Sequence, residues 1–291
     1  RESDLVIATF GRGFYVLDDY SPLRNIKKED EAKDAVIYPV KDAWMFDEAS
    51  PLGGYGDSKK GSMGESYFTT PNPKVASVFT YYIKDNLQTL QQKRQKAEGE
   101  KIKKGEPVYY PSPDSLLLED QQPKPYLLFT IYDADGNAIR RIKTNAGKGL
   151  HRIEWDFRYP SGNMEEYSSD GGSSYKALPG NYTIGLHKFE DGIFTQLAAP
   201  VPFTTKALNW ASLPATDKNA LMAYNNKVYK LRRSVDGTYA YFQQLSDKLK
   251  QIKAAVIAAP QLPLSIATDA NAIQKRIDAV QIQFNGNGSL A

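Results

Sequence analysis

The most informative absence in this sequence is cysteine. Its 291 residues contain no Cys, which excludes disulfides, thiolate nucleophiles and zinc sites built on thiolates. Only two histidines, His151 and His187, are present, and neither has a serine in a nucleophile-elbow context near it. No apolar run approaches the roughly 20 residues that a membrane-spanning helix needs. The sequence therefore predicts a protein that does not span a membrane and has no serine-histidine triad.

Strong net charge is also missing. Lys and Arg number 37 against 34 Asp and Glu, and the formal charge of +3 comes from interspersed residues. Such a balance does not indicate a nucleic-acid partner. With 41% hydrophobic and 24% charged residues the composition is that of a globular protein, and the length suits roughly two domains.

What the sequence does contain is a series of short strand patterns between residues 125 and 205. Tyr126 to Tyr132 is rich in β-branched and aromatic residues, and residues 150 to 157 alternate between polar and large apolar side chains. Gly, Pro and Asp turns separate these runs from the strand patterns that follow. Together with Ser77 to Ile83 as a first strand, they predict an antiparallel sandwich of two sheets.

Helical patterns lie on either side of this part of the chain. Residues 85–104 are nearly all polar and predict a short solvated helix or a partly disordered one. Tyr109 to Leu118 is punctuated by proline and is predicted to be extended. From Leu221 to Val256, apolar residues recur at three- and four-residue steps, which predicts a long helix with a weak point at Gly237. Thr268 and Asp269 are expected to cap a second helix, giving an antiparallel helical hairpin.

Residues 4–24, DLVIATFGRGFYVLDDYSPLR, resemble the closing segment of the last blade in bacterial BNR-repeat β-propeller proteins of the sortilin and glycosyl-hydrolase-like kind. Later elements, GLHRIEWDFRYP and LPGNYT, are similar to the Ig-like repeats of flagellar hook-capping proteins and secreted bacterial surface proteins. No Asp-box occurs, so the resemblance implies a C-terminal region without the glycosidase residues of the propeller face. A two-stranded piece cannot bury both faces alone, and we expect it to pack on an upstream sheet.

The fold expected from these patterns is mainly β with an α-helical C-terminus. It would comprise the end of the last propeller blade (1–24), a linker and edge segment (25–64), an Ig-like β-sandwich (65–206) with a helical insertion at about 85–104, and a helical hairpin (207–291).

Aromatic residues around the loop that follows Pro160 are the first candidates for binding. Trp155, Tyr159, Tyr167 and Tyr175 flank or occupy this loop, and aromatic rings in loops stack on sugars or fill partner hot spots. The alternative is that Trp155 belongs to the core and the tyrosines pack the rim of the sandwich.

Two further sets of residues carry competing interpretations. Asp133, Asp135 and Asn137 place oxygen ligands at alternating positions, as a calcium loop does, but the closing Glu is absent and the same residues suit a hairpin turn. Leu231, Tyr239, Phe242 and Leu245 lie on the helical stripe and predict a face for a partner helix, with packing inside the hairpin as the alternative. No cofactor is predicted.

These observations predict a non-catalytic C-terminal region of a large bacterial β-propeller protein of the cell envelope or exterior. It would brace its own upstream propeller and present a surface to an envelope protein or a glycan. One alternative is an accessory wall of a BNR-type glycoside hydrolase whose two carboxylates lie upstream. Another is a structural subunit of an envelope or secretion assembly.

Overall fold

The architecture is that of a computed structural model, which describes residues 3–47, 63–64, 66–67, 74–145, 147–160, 174–208 and 216–286. The chain divides into two compact units, Arg1–Pro160 with Ser168–Thr216, and Ser161–Tyr167 with Asp217–Ala291. In the described part of the chain, all strands belong to the first unit and the two longest helices to the second.

The first unit begins with a β-hairpin. Strands β1 (Leu5–Thr9) and β2 (Gly13–Leu17) pair antiparallel in a two-stranded sheet of their own. Gly13 adopts a φ of 85°, a conformation that favours glycine at this turn. A short helix, α1 (Ser21–Arg24), and a 3-10 helix at Lys28–Ala32 follow.

Two larger sheets form the rest of this unit. The three-stranded sheet has the order β3-β5-β8, and the five-stranded sheet has the order β4-β10-β9-β6-β7. All neighbours pair antiparallel except β4 and β10, which are parallel. The strands are β3 (Ala35–Ile37), β4 (Ala43–Met45), β5 (Ser77–Ile83), β6 (Tyr126–Tyr132), β7 (Ala138–Thr144), β8 (Gly149–Trp155), β9 (Gly180–Glu190) and β10 (Ile193–Ala207).

Side chains from both sheets meet in one buried cluster. Phe79 of β5 contacts Phe203 of β10 edge-on at 4.9 Å between ring centroids, and Tyr81 lies 4.8 Å from Phe129 of β6. Phe79 and Phe129 are both fully buried. The predicted combination of β-sheets with a helical C-terminus is therefore confirmed. The three-stranded and five-stranded sheets together are here called the two-sheet domain.

The described part of the segment at 25–64, expected to be a linker and edge, contains two short strands. Its strands β3 and β4 each join one of the two sheets, and Ile37 and Met45 are buried in the shared cluster. The two-sheet domain therefore begins about thirty residues before position 65, at Ala35. Three-residue strands carry too little alternation to be recognised from sequence.

The polar region between β5 and β6 contains two helices where the sequence predicted one. Helix α2 (Leu90–Lys103) is capped by Thr89, whose side chain accepts a hydrogen bond from the Gln92 amide. The segment predicted to be extended instead forms α3 (Pro113–Gln121), and that prediction was wrong. Proline disrupts the interior of a helix, but Ser112 caps α3 and Pro113 occupies its first turn, where proline is favoured.

The second unit contains α4 (Lys218–Ala258) and α5 (Ser265–Asn285). The Asp217 side chain caps α4 by accepting a hydrogen bond from the Ala220 amide at 2.9 Å, and the helix continues through Gly237. Helix α5 begins at Ser265, before the predicted cap at Thr268 and Asp269, because the chain turns directly after Pro263. None of the helices in the described residues is long and apolar enough to cross a bilayer.

Candidate functional site

Trp155 does not face solvent. It ends β8 with 1% of its surface exposed, and its indole Nε1 donates a hydrogen bond to the Arg158 carbonyl at 3.0 Å. Its ring meets Phe157, Tyr182 and Phe203 edge-on. Trp155 is therefore a core residue, as its alternative interpretation held, and cannot stack on a ligand.

Two of the predicted tyrosines, Tyr159 and Tyr175, contact each other. The rings of Tyr159 and Tyr175 stack with centroids 4.4 Å apart, and the Tyr159 amide donates to the Tyr175 carbonyl. Burial, followed by the charge of Asp133, raises the pKa of Tyr159, so its phenol stays neutral. Tyr167 lies outside the described residues. Tyr159 also packs against the buried cluster of the two sheets, which favours the packing interpretation for this pair.

Asp133, Asp135 and Asn137 lie in the turn between β6 and β7. The Asp133 carboxylate accepts hydrogen bonds from the backbone amides of residues 135 and 137 at 3.0 and 2.8 Å. Its other oxygen accepts from the Asn137 side chain. These bonds use the oxygens that a cation would need, which favours the turn interpretation. Among the described residues, no three His, Cys, Asp or Glu side chains are grouped so as to hold a metal.

A cleft with an exposed tryptophan and a lining that is mostly apolar lies between the base of the first hairpin and β4. Its volume is about 300 Å³, and Trp44, which is 40% exposed, forms part of its wall. The Lys206 ammonium pairs with the Asp42 carboxylate and lies 5.9 Å from the centre of the Trp44 ring. The charged side chains of the cleft are Asp4, Asp18, Asp19, Lys41, Asp42 and Lys74.

The hairpin base is held by hydrogen bonds that also shape the cleft. Arg152 of β8 donates to the carbonyls of Asp18 and Asp19 at 3.0 and 2.7 Å. The Asp19 amide donates to the Asp4 carboxylate at 2.9 Å, and the Tyr20 amide donates to the Ser3 carbonyl. Carboxylates, lysines and an exposed indole together can bind a polyhydroxylated ligand through hydrogen bonds and stacking.

Sequence reasoning did not identify Trp44. The indole lies in a three-residue strand between buried Ala43 and Met45, and the carboxylates come from separate segments. The alternation at 43–45 is the one sequence signal for an outward Trp, and it is too short to separate from chance.

The predicted partner-helix face divides into two parts. Phe242 and Leu245 pack against the buried cluster of Leu249, Ala270 and Ile277, and the Tyr239 ring contacts Phe284 of α5. Leu231 instead has 66% of its surface exposed. Three of the four predicted residues therefore contact α5 within the hairpin, and Leu231 belongs to a different surface.

Comparisons with known proteins show only a limited likeness. No protein-family model matches the chain, and no curated protein matches it. Among solved structures, the crystal structure of FlgD from P. aeruginosa is similar over 26% of this chain and 50% of that chain, with 20% identity and a TM-score of 0.20. The match therefore spans half of the FlgD chain.

Proposed function

We propose that this chain is a non-catalytic C-terminal region of a larger β-propeller protein of the bacterial envelope or exterior. In this role β1 and β2 complete a sheet of the propeller, and the two-sheet domain braces it and presents a surface to a partner or a glycan. The observation that carries the proposal is the exposure of the β1-β2 hairpin.

Both faces of this hairpin are apolar and open. Consecutive residues Leu5, Val6 and Ile7 are all exposed, as are Phe14 to Leu17 on the second strand, and Phe14 keeps 78% of its surface. Because neighbouring strand residues point to opposite faces, neither face is covered. A two-stranded ribbon of this kind is marginal in water, so the proposed role supplies the sheet that would cover it.

The attachment of the hairpin supports a bracing role. Arg152 holds the carbonyls of Asp18 and Asp19, so the hairpin base is fixed to a strand of the two-sheet domain. A sheet joined by β1 and β2 would therefore be connected to this domain through charge-assisted hydrogen bonds as well as through the chain. The resemblance of residues 4–24 to a closing propeller segment agrees with this arrangement.

The experiment compares a double substitution in two settings. Val6→Lys with Phe14→Lys places two charges on one face of the hairpin. In the natural protein that contains these residues, it should lower the thermal midpoint by roughly 4 °C or more, because the charges would be buried. In the 291-residue chain it should change little. Leu150→Lys, at an exposed apolar strand position outside the hairpin, is the matched control. Equal midpoint shifts for both variants in the natural protein would contradict the proposal.

The cleft supports a second candidate function, an accessory wall of a glycoside hydrolase. Trp44 and the carboxylates of Asp4 and Asp18 lie at the hairpin base, beside the position proposed for the propeller. In this case the natural protein should cleave glycans through upstream carboxylates, and Trp44→Ala should raise KM more than it lowers kcat. Glycan binding without any cleavage would favour the first function over this one.

A further inference from the structure

Helix α4 carries apolar residues at three- and four-residue steps along most of its length. In its C-terminal half these residues include Phe242, Leu245 and Leu249, which pack against Ala270 and Ile277 of α5. This spacing is that of the a and d positions of a coiled coil. The C-terminal half of α4 thus already has a helical partner.

The N-terminal half of α4 extends beyond that partner. Phe284, close to the end of α5, has its ring 6.3 Å from Tyr239 and 5.9 Å from Phe242. Helix α5 ends before Gly286, which has a φ of 75°. At 1.5 Å per residue, α4 is about 60 Å long and α5 about 30 Å. Helix α5 therefore pairs with α4 from about Tyr239 onward.

The heptad pattern continues through this N-terminal half and stays uncovered. Its members are Leu221, Tyr224, Val228, Leu231 and Val235, here called the open stripe. All five are exposed, with Tyr224 at 64%. The stripe is in register with the seam that α5 occupies, because Phe242 follows Val235 by seven residues with Thr238 between them. A narrow a/d seam suits a second helix, whereas a helix lying on a membrane presents a broader apolar face.

Charge around the open stripe defines the chemistry of the helix that fits it. The N-terminal half of α4 contains the basic residues Lys218, Lys227, Lys230, Arg232 and Arg233, and Asp236 is its acidic residue. Lys227 precedes Val228 and Arg232 follows Leu231, which are the g and e positions beside the seam. Arg232 approaches Asp236 at 3.6 Å with both side chains largely exposed, so its charge remains available to a partner.

A second copy of this chain is a poor occupant of the open stripe. Two copies packed along it would place Lys227 and Arg232 of one copy beside the basic residues of the other, and like charges across a helix seam disfavour pairing. We propose that the open stripe binds an acidic amphipathic helix of a partner protein, whose Asp or Glu side chains flank its own apolar seam. This inference rests on α4 and is independent of the proposed propeller role.

The test uses the 291-residue chain and two synthetic peptides. Both peptides span roughly three heptads with Leu and Ile at a and d, and they differ only in having Glu or Lys at e and g. The Glu peptide should bind at least tenfold more tightly than the Lys peptide in fluorescence anisotropy, which corresponds to ~1.4 kcal/mol. Leu231→Glu should weaken binding of the Glu peptide by a similar factor.

Two further variants distinguish the contribution of the open stripe to peptide binding from that of the basic residues beside it. Ile257→Glu substitutes an apolar residue of the same helix that is 84% exposed and lies off the stripe, and it should leave peptide binding unchanged. Lys227→Glu with Arg232→Glu should reverse the preference toward the Lys peptide. Far-UV circular dichroism checks that each variant keeps its helix content.

Several outcomes would overturn the proposal. These are equal binding of the two peptides, no binding of either up to about 1 mM, and self-association that Leu231→Glu abolishes. Preferential binding to phosphatidylserine vesicles that Leu231→Glu abolishes would show that the stripe serves a lipid surface instead.

Discussion

The two-sheet domain and the β1-β2 hairpin use similar residues to opposite effect. Both are rich in aromatic and β-branched side chains, yet Phe79 and Phe129 are fully buried while Phe14 is almost fully open. The difference lies in the number of layers, since two packed sheets cover each other. In the described part of the chain, the apolar residues on both faces of the two-stranded ribbon are exposed. The two-sheet domain therefore covers its own large apolar residues, whereas those of the hairpin stay exposed in the described part of the chain.

The largest expected effect contrasts two aromatic residues of these regions. Trp155→Ala should lower the free energy of unfolding by about 3–5 kcal/mol, because it leaves a large cavity among Phe157, Tyr182 and Phe203. Phe14→Ala should change it by less than ~0.5 kcal/mol, because the ring is exposed in this chain. Denaturant titration followed by near-UV circular dichroism measures both. Comparable losses would mean that the hairpin is already packed in this chain.

The helical unit shows the same contrast within one helix. Leu249→Ala should destabilise the α4-α5 pair by about 2–4 kcal/mol, because Leu249 is buried with Ala270 and Ile277. Leu231→Ala should have an effect below ~0.5 kcal/mol, because that leucine is exposed. Thermal unfolding followed by far-UV circular dichroism distinguishes them. An equal effect of Leu231→Ala would show that the open stripe is covered within this chain.

A smaller, pH-dependent effect is expected within the two-sheet domain's helical insertion. Glu119 of α3 accepts two hydrogen bonds from the Arg94 guanidinium of α2, at 2.6 and 2.8 Å, and these bonds lower the pKa of Glu119. Since the folded-state pKa lies below the unfolded value of about 4.3, the stabilisation is complete above that pH. It is lost as the pH falls through the lowered pKa.

Glu119→Gln should therefore destabilise the chain at neutral pH, and its difference from the unmodified chain should shrink in acid. Denaturant titrations at a series of pH values measure this difference. Glu106→Gln, at an exposed glutamate of the same insertion, is the matched control for the loss of one carboxylate. A difference that stays constant into acid would show that the ion pair does not form.

The secondary structure was easiest to predict from the sequence where a periodic pattern extends over many residues. The heptad stripe of α4 and the alternation around Trp155 each extend over enough residues to define an element, and the hairpin turn at Asp133 carries its own chemistry. Sequence reasoning failed where context decides. The Ser112-Pro113 pair is compatible with an extended segment, but in the structure it starts α3. Strand β4 has only three residues and is recognisable only from its pairing with β10.

The candidate site was harder to predict than the fold for a related reason. Proximity along the chain to Pro160 favours Trp155, Tyr159 and Tyr175 as binding residues. Burial, however, depends on the sheet packed opposite, which no local pattern reports. The cleft at Trp44 joins residues 4, 18, 42 and 74, and only the pairing of distant strands brings them together. The periodic pattern of a single segment does not predict a surface that is assembled from several separate segments.

Amide hydrogen exchange of residues Leu5 to Leu17 tests most directly whether the hairpin serves a sheet outside this chain. The measurement is made by mass spectrometry on the 291-residue chain and on the natural protein that contains it. We expect these amides to exchange at nearly unprotected rates in the chain alone and at least ~100-fold more slowly in the natural protein. Protection that is the same in both would contradict the account.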